Sequence, residues 1–527
     1  MTDTSVSDNS VPRSRRPGGR AARKAARAAP LPENMRPVRP GMEGGWYKPL
    51  AAIDQDKIHA TALQALEEVG LADAPDSGVE ILTGAGAIQG ADGRIRFPHA
   101  LVEDMVAKAA RDITLHGQDP QYDIQPGGYR VHFGSAGAAV FVYDPETREN
   151  REPTVEDLYN SARVVDSLDN IHFFQRTLTP RDTPDPTDMD LNTLYACVSG
   201  TTKHVGTSFT EWKNAARGLE MLHMVAGSEK AWRERPFVSN SNCFVVPPMK
   251  FATESCLVME TLIRGGMPIL LLSAGQAGAT APAPLAGAVV QAVAECLAGV
   301  VYVNAMAPGH PAIFGTWPFV SDLRTGAMSG GSPEQGLLTA ACGQMARYYD
   351  LPGGSACAMS DSKEMDMQAG FERGMANVMA GLSGLNMIYE SVGMHASLLS
   401  HCLEALFVDN DVIAACMRCV RGIEVSDDTM ALETMKEVCM GGPGHYLGAG
   451  QTLSLMQTEY VYPTLGDRSS PKEWLEKDKP DLIENAISRK KALLSEHFPA
   501  HITEEVDQAI RDAFNIVLPR DTMRPAV

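Results

Sequence analysis

Pro268-Ile-Leu-Leu-Leu-Ser-Ala274 and Ala312-Ile-Phe-Gly-Thr-Trp317 are short apolar runs, each closed by small or polar residues and joined by an Ala-rich stretch of helical period at Ala283–Asn304. Runs of this length suit strands rather than helices, and a helix-length connection returns the chain to a parallel neighbour. Working outward, the pattern recurs about every 30 to 45 residues, the period of a βα unit. It is found at Ile171–Thr177, His204–Ser208, Phe237–Asn242, Ser355–Asp361 and Leu385–Ser391, with an earlier candidate around Val131–Tyr143. Helices are predicted between them at Val155–Ser167, Leu191–Val198, Thr210–Val225, Ala252–Arg264, Pro333–Tyr349 and Gln368–Ser383, and after the last at Ala396–Asn410. Eight strands alternating with helices are the count of an α/β fold of the (β/α)8 TIM-barrel type, here expected over residues 129–425.

Active sites of such barrels gather at the carboxyl ends of the strands. The residues closing each run are therefore the candidates: Gln175, His204, Asn240, Asn242, Ser273, Trp317, Asp361, Lys363 and Glu390.

The chain exceeds what a bare barrel needs, which predicts additions at both ends. Residues 35–128 carry amphipathic helices at Asp54–Val69 and Pro98–Ala110, and an antiparallel ribbon of Tyr129–Phe133 with Ala139–Tyr143 follows. Together these read as a cap preceding the barrel. Residues 426–527 read as a helical carboxyl-terminal extension, with helices at Thr429–Val438, Lys472–Leu475, Asp481–Glu496 and Thr503–Ile516.

The net charge is −19, although residues 1–40 carry nine Lys/Arg against three Asp/Glu. The remainder is more acidic still, which argues against nucleic acid or an anionic membrane as partner. The Arg-rich residues 1–34 read as a solvated disordered tail, since Pro, Gly and Ala dominate and no aromatic is interleaved. No secretory signal and no apolar run of transmembrane length is read, which predicts a cytoplasmic protein. Ten scattered cysteines suit reduced thiols. The Cys416/Cys419 pair lies in an apolar helix without a second pair at zinc spacing, so buried structural cysteine is the reading and no metal site is expected. A Walker loop, a His-Glu-x-x-His pair and a Gly-x-Ser-x-Gly elbow are all absent.

What remains is a polar and aromatic rim. Aromatic faces with one carboxylate hold a quaternary ammonium, because the ring quadrupole attracts a cation that donates no hydrogen bond. Trp317, Phe319, Phe173, Phe174 and Tyr389 supply such faces, and Glu390 the carboxylate. Phe173 and Phe174 cannot both face inward, since side chains alternate along a strand. For each aromatic except Trp317, core packing is the plainer role. A buried Glu390 needs a partner or a cationic ligand. His204, His395, His401 and His445 are proton carriers or satisfied structural histidines. Lys363 is a Schiff-base lysine or an exposed loop lysine.

Three blocks carry a resemblance: Phe314-Gly-Thr-Trp317-Pro-Phe319; Ser360-Asp361-Ser362-Lys363 continuing through Asp366, Gln368, Ala369, Gly370 and Glu372; and Gly444-His445-Tyr446-Leu447-Gly448 leading to Thr452, Glu459, Pro463 and Asp467-Arg468. With them the chain resembles the trimethylamine methyltransferase family of corrinoid-dependent amine methyltransferases, from about Met35 onward. Founding members carry pyrrolysine near the second block. This chain has the ordinary alphabet there and resembles the branch that uses quaternary amines such as glycine betaine, proline betaine, carnitine or γ-butyrobetaine. Gln451 stands where many relatives have histidine.

The resemblance implies methyl transfer from a quaternary amine to Co(I) of a cobalamin carried by a separate corrinoid protein, with no intrinsic metal and a homo-oligomeric enzyme. It implies that Trp317 and Phe174 hold the trimethylammonium and that Glu390 balances its charge. Gln175, Asn242, His204 and His395 are then the donors for a substrate carboxylate, while Asp361 and Lys363 join the site from the following loop. Two alternatives stay open at this point: a lyase or aldolase using Lys363, and a betaine-binding relative without catalysis.

Overall fold

The computed structural model describes residues 31–183 and 185–525. Eight parallel strands form the centre: β1 Arg130–Phe133, β2 Phe174–Gln175, β3 Val205–Thr207, β4 Val238–Asn242, β5 Ile269–Ser273, β6 Ala312–Thr316, β7 Gly353–Ala356 and β8 Met387–Tyr389. Neighbours pair in chain order, with β5 and β6 in register from Ile269 opposite Ala312 to Ser273 opposite Thr316. The ring closes because β8 pairs with β1, and β1 reaches β2 through a parallel bridge between Gly134 and Phe173. Below that bridge the gap between β1 and β2 is filled by Met42–Glu43, which runs antiparallel to β1. The fold is a closed (β/α)8 barrel.

Each strand is followed by an outer helix: α1 Val155–Asp166, α2 Pro186–Gly200, α3 Trp212–Ala226, α4 Thr253–Arg264, α5 Leu285–Met306, α6 Pro333–Tyr348, α7 Met367–Ser383 and α8 Leu403–Arg421. Several begin where the sequence supplies a cap. Thr154 and Asp157 form a reciprocal capping box on α1, and Ser332 caps α6 ahead of Pro333 at its first position.

Four sequence-based expectations are corrected here. The expected ribbon does not form: Arg130–Phe133 is a barrel strand, while Phe141–Asp144 pairs with Glu149–Arg151 and Ser400–His401. The strand placed at Ser355–Asp361 lies earlier, at Gly353–Ala356. The reason is packing: a Cβ on Gly354 would come within 2.9 Å of the Tyr389 ring inside the barrel, and one on Gly353 within 2.4 Å of Ala346 on the outer helix, so both glycines belong in the strand. The helix expected at Ala396–Asn410 begins only at Leu403, after Met394–His395 has paired with Ser400–His401. Finally, α5 is by length and composition apolar enough to cross a membrane. It is apolar all round because it is buried on two sides, against β5 and β6 inside and against helices Ala52–Glu68, Asp76–Ala85 and His99–Lys108 outside.

Those amino-terminal helices therefore lie on the flank of the barrel. In the carboxyl-terminal part, Leu482–Glu496 packs on α8 and α1, and Glu504–Ala513 on α3. Most of the Arg-rich tail expected over residues 1–34 lies outside the described residues; of its last four, Glu33 opens a short turn, Glu33–Met35.

Candidate functional site

A cavity of about 290 Å³ opens at the carboxyl ends of the strands. Its wall runs around the ring in strand order: Ala136–Ala138 after β1, Gln175 and Arg176 at β2, Ser208 and Phe209 after β3, Ser241, Asn242 and Cys243 at β4, Leu272 and Ala274 at β5, Trp317 and Phe319 after β6, and Glu390 after β8. Of the nine residues to which the resemblance assigns a site role, Gln175, Asn242, Trp317 and Glu390 are brought together here.

Glu390 is buried, and its Oε2 has no hydrogen-bond partner. Burial alone pushes its carboxyl up to about 8, with no cation near enough to counter it. Its backbone is left-handed, at φ 57°. That turn breaks strand alternation, so Tyr389 and Glu390, although consecutive, both face the barrel interior. The Tyr389 ring lies 5.3 Å from Trp317 and 5.0 Å from Phe173, centroid to centroid. Trp317 is buried, and its indole N–H is also without a partner.

Across the cavity, the Asn242 side-chain amide donates to Asn240 Oδ1 at 3.1 Å and to the Ser255 carbonyl at 3.0 Å, leaving its own Oδ1 unpaired. Gln175 lies over Gly206, where a Cβ would stand 1.6 Å from Gln175 Oε1; only glycine leaves room for that side chain. Among the described residues the Arg176 guanidinium makes no side-chain hydrogen bond or ion pair, although it feels the charge of Asp190. Cys243 is solvent-exposed at the cavity rim and stands within electrostatic reach of both Arg176 and Glu390.

The other five lie elsewhere. His204 precedes β3, at the opposite end of the barrel. Its Nδ1–H donates to the His116 carbonyl at 2.8 Å and its Nε2 accepts from Ser239 Oγ at 2.9 Å, while burial brings its pKa down to about 4. It is a satisfied neutral histidine. Phe174 points away from the cavity because Phe173 and Gln175 take the inward positions of β2. His395 is buried beside Tyr143, 5.9 Å ring to ring, because its pairing with Ser400 turns it away from the mouth. Burial and the Arg373 charge hold it well below the usual histidine value.

Asp361 and Lys363 sit on a loop beyond the true end of β7, lining a second cavity of about 540 Å³. Asp361 accepts from Ser329 Oγ at 2.7 Å and Ser397 Oγ at 2.6 Å, tying together the loops after β6, β7 and β8. Lys363 is exposed, and its Nζ donates to the Asp361 carbonyl at 2.7 Å. Two other rim candidates serve structure: Ser273 donates to the buried Glu295 at 2.6 Å, and Asn240 braces Asn242. His445 lies in an exposed carboxyl-terminal segment.

Sequence reasoning missed Arg176, Cys243 and Phe209. Cys243 lies one position past the run Phe237–Asn242, and Arg176 lies inside the run Ile171–Thr177, directly after Gln175.

Among the described residues no group of His, Cys, Asp and Glu could hold a metal ion. The arrangement is that of a small, partly apolar cavity with an aromatic and carboxylate side facing an amide and guanidinium side.

The model of the trimethylamine methyltransferase (MTTB) family matches residues 16–516. The trimethylamine methyltransferase MttB of Desulfitobacterium hafniense is 30% identical over 455 residues, covering 86% of this chain and 90% of that protein. A glycine betaine methyltransferase of the same species is 28% identical over 468 residues, covering 88% and 96%. The solved monomethylamine methyltransferase of Methanosarcina barkeri aligns over 84% of this chain and 92% of that one, at 10% identity and a TM-score of 0.45. With a family model spanning nearly the whole described barrel and both its flanks, the chain belongs to the trimethylamine methyltransferase family.

Proposed function

We propose that this protein transfers a methyl group from a quaternary amine, glycine betaine or a similar betaine, to Co(I) of a corrinoid carried by a separate protein. The observation that carries the reading is Glu390: a buried carboxylate with an unpaired oxygen, beside the Trp317 and Tyr389 rings, in a small cavity. A carboxylate so desolvated is stable as an anion only with a cation next to it. A quaternary ammonium brings that charge without any proton to donate, and the adjoining aromatic faces attract it.

The cavity is at the lower end of the size range of ligand sites, so it suits a small amine and excludes a corrinoid macrocycle. A corrinoid carried by a partner protein would be met at the cavity mouth, and as Co(I) it would supply the nucleophile for the methyl group. The nitrogen departs as a neutral tertiary amine, which needs no general acid. Accordingly the work of this chain is positioning: Trp317, backed by the Tyr389 ring, fixes the ammonium, Glu390 balances it, and Leu272, Phe209 and Leu398 keep the reacting end dry.

The test is the absorbance of reduced Co(I) corrinoid protein mixed with this enzyme and a panel of quaternary and tertiary amines. Loss of the Co(I) band with one betaine, matched by formation of the corresponding tertiary amine, is the expected result. A band that persists across the panel, with a corrinoid protein shown to be reducible, overturns the reading.

A further inference from the structure

The ring order of the barrel separates the charges of the cavity. Trp317 follows β6 and Glu390 follows β8, whereas Arg176 follows β2 and Asn242 closes β4. In a ring of eight strands β2 stands opposite β6 and β4 opposite β8. Arg176 and Trp317 thus line the cavity from opposite strands of the ring, as do Asn242 and Glu390.

Arg176 does not neutralise Glu390: among the described residues no hydrogen bond or ion pair joins them, and Glu390 Oε2 has no partner. Nor is Arg176 spent on the protein. Asp190, the acid it feels, gives one oxygen to the Thr210 backbone and hydroxyl and to Asn214, and is not in ion-pair contact with the guanidinium. An arginine lining a cavity with its donors unused, opposite a cation site, is a fork awaiting an anion.

We propose that Arg176 is the specificity-determining residue of this site and binds the carboxylate of a zwitterionic substrate whose quaternary ammonium lies against Trp317 and Glu390. The inference rests on the quaternary-amine reading above and deepens it. The spacing of the two poles then selects short molecules carrying an ammonium at one end and a carboxylate at the other. An uncharged end, as in choline, leaves the guanidinium desolvated and unpaired, which is how sites built for a polar group reject analogues lacking it.

The experiment is calorimetric titration of the wild-type protein, Arg176→Gln and Arg176→Lys with glycine betaine, choline and tetramethylammonium, each variant being checked by thermal melting. The wild type is expected to prefer glycine betaine. Arg176→Gln should weaken glycine betaine roughly 100-fold, leave tetramethylammonium within about threefold and bind choline no more weakly than the wild type does, and Arg176→Lys should restore part of the loss. An unchanged betaine-to-choline ratio in Arg176→Gln, or equal weakening of all three ligands, overturns the role of Arg176 alone. A wild-type protein that binds none of the three overturns both this assignment and the reading on which it rests.

Discussion

Trp317 and Tyr389 meet with ring centroids 5.3 Å apart and planes inclined at 43°, and the chain turns left-handed immediately afterwards at Glu390. The aromatic contact fixes where β8 ends, and the turn spends a strained conformation, about 1–3 kcal/mol for a non-glycine residue, on facing a carboxylate into a dry cavity. Strain kept at such a position is a sign of use.

Glu390 should destabilise the unliganded protein in alkali. Its carboxyl is raised from 4.5 to about 8 by burial, so the unfolded chain gives up the proton first. The stability associated with the protonated group is complete below about pH 4.5, is lost as pH rises to about 8, and is constant above that. Glu390→Gln has no proton to lose. Its melting temperature should exceed that of the wild type above pH 8, by the equivalent of on the order of 3–5 kcal/mol, and converge with it near pH 4.5. A difference that does not grow between pH 5 and 8 would show that the carboxyl is not desolvated as described.

Binding of tetramethylammonium should have the same group as its switch. Only the ionised carboxylate complements the cation, so affinity should rise roughly tenfold per pH unit from 6 to 8 and level off above. Calorimetry in buffers of different ionisation enthalpy should detect a proton released on binding near pH 7. A pH-independent affinity in the wild type refutes the pairing of Glu390 with the ammonium.

Trp317→Leu should weaken quaternary ammonium binding by about tenfold while Trp317→Phe costs less, since indole presents the stronger quadrupole. Melting temperature distinguishes lost binding from lost packing, because Trp317 also touches Tyr389 and Phe319. Equal affinity in wild type and Trp317→Leu removes the indole from the cation site.

Lys363 should be chemically silent. Its exposed Nζ donates to a backbone carbonyl outside the main cavity, so borohydride treatment with carbonyl compounds should leave no adduct there, and Lys363→Met should retain methyl transfer. A trapped adduct would revive the lyase alternative. Asp361→Ala, by contrast, removes the acceptor shared by Ser329 and Ser397 and should cost about 1–3 kcal/mol of stability.

The barrel was legible because periodicity is a local property: β5 and β6 appear almost residue for residue where the apolar runs predicted them. The strand of Gly353–Ala356 was displaced because Gly354 makes room for the Tyr389 ring, a contact distant in sequence. Strand-end logic placed Gln175, Asn242, Trp317 and Glu390 at one cavity. His204 begins its strand and was misplaced for that reason. Phe174 was preferred over Phe173 without a register to choose between them, and only the position of Tyr389 supplies it. Arg176 escaped notice because a residue one step past an alternating strand is expected to face outward.

The double burial of α5 bears on how this protein can be dissected. Its outer face is covered by Ala52–Glu68, Asp76–Ala85 and His99–Lys108, and the base of the ring is completed by Met42–Glu43. A fragment starting at residue 129 would contain every barrel strand, yet it would expose a 22-residue apolar helix to water and leave an unpaired edge on β1. Such a fragment should aggregate when expressed, and limited proteolysis near residue 128 should leave the two pieces associated. For fusion or truncation, the amino-terminal segment is inseparable from the barrel it precedes.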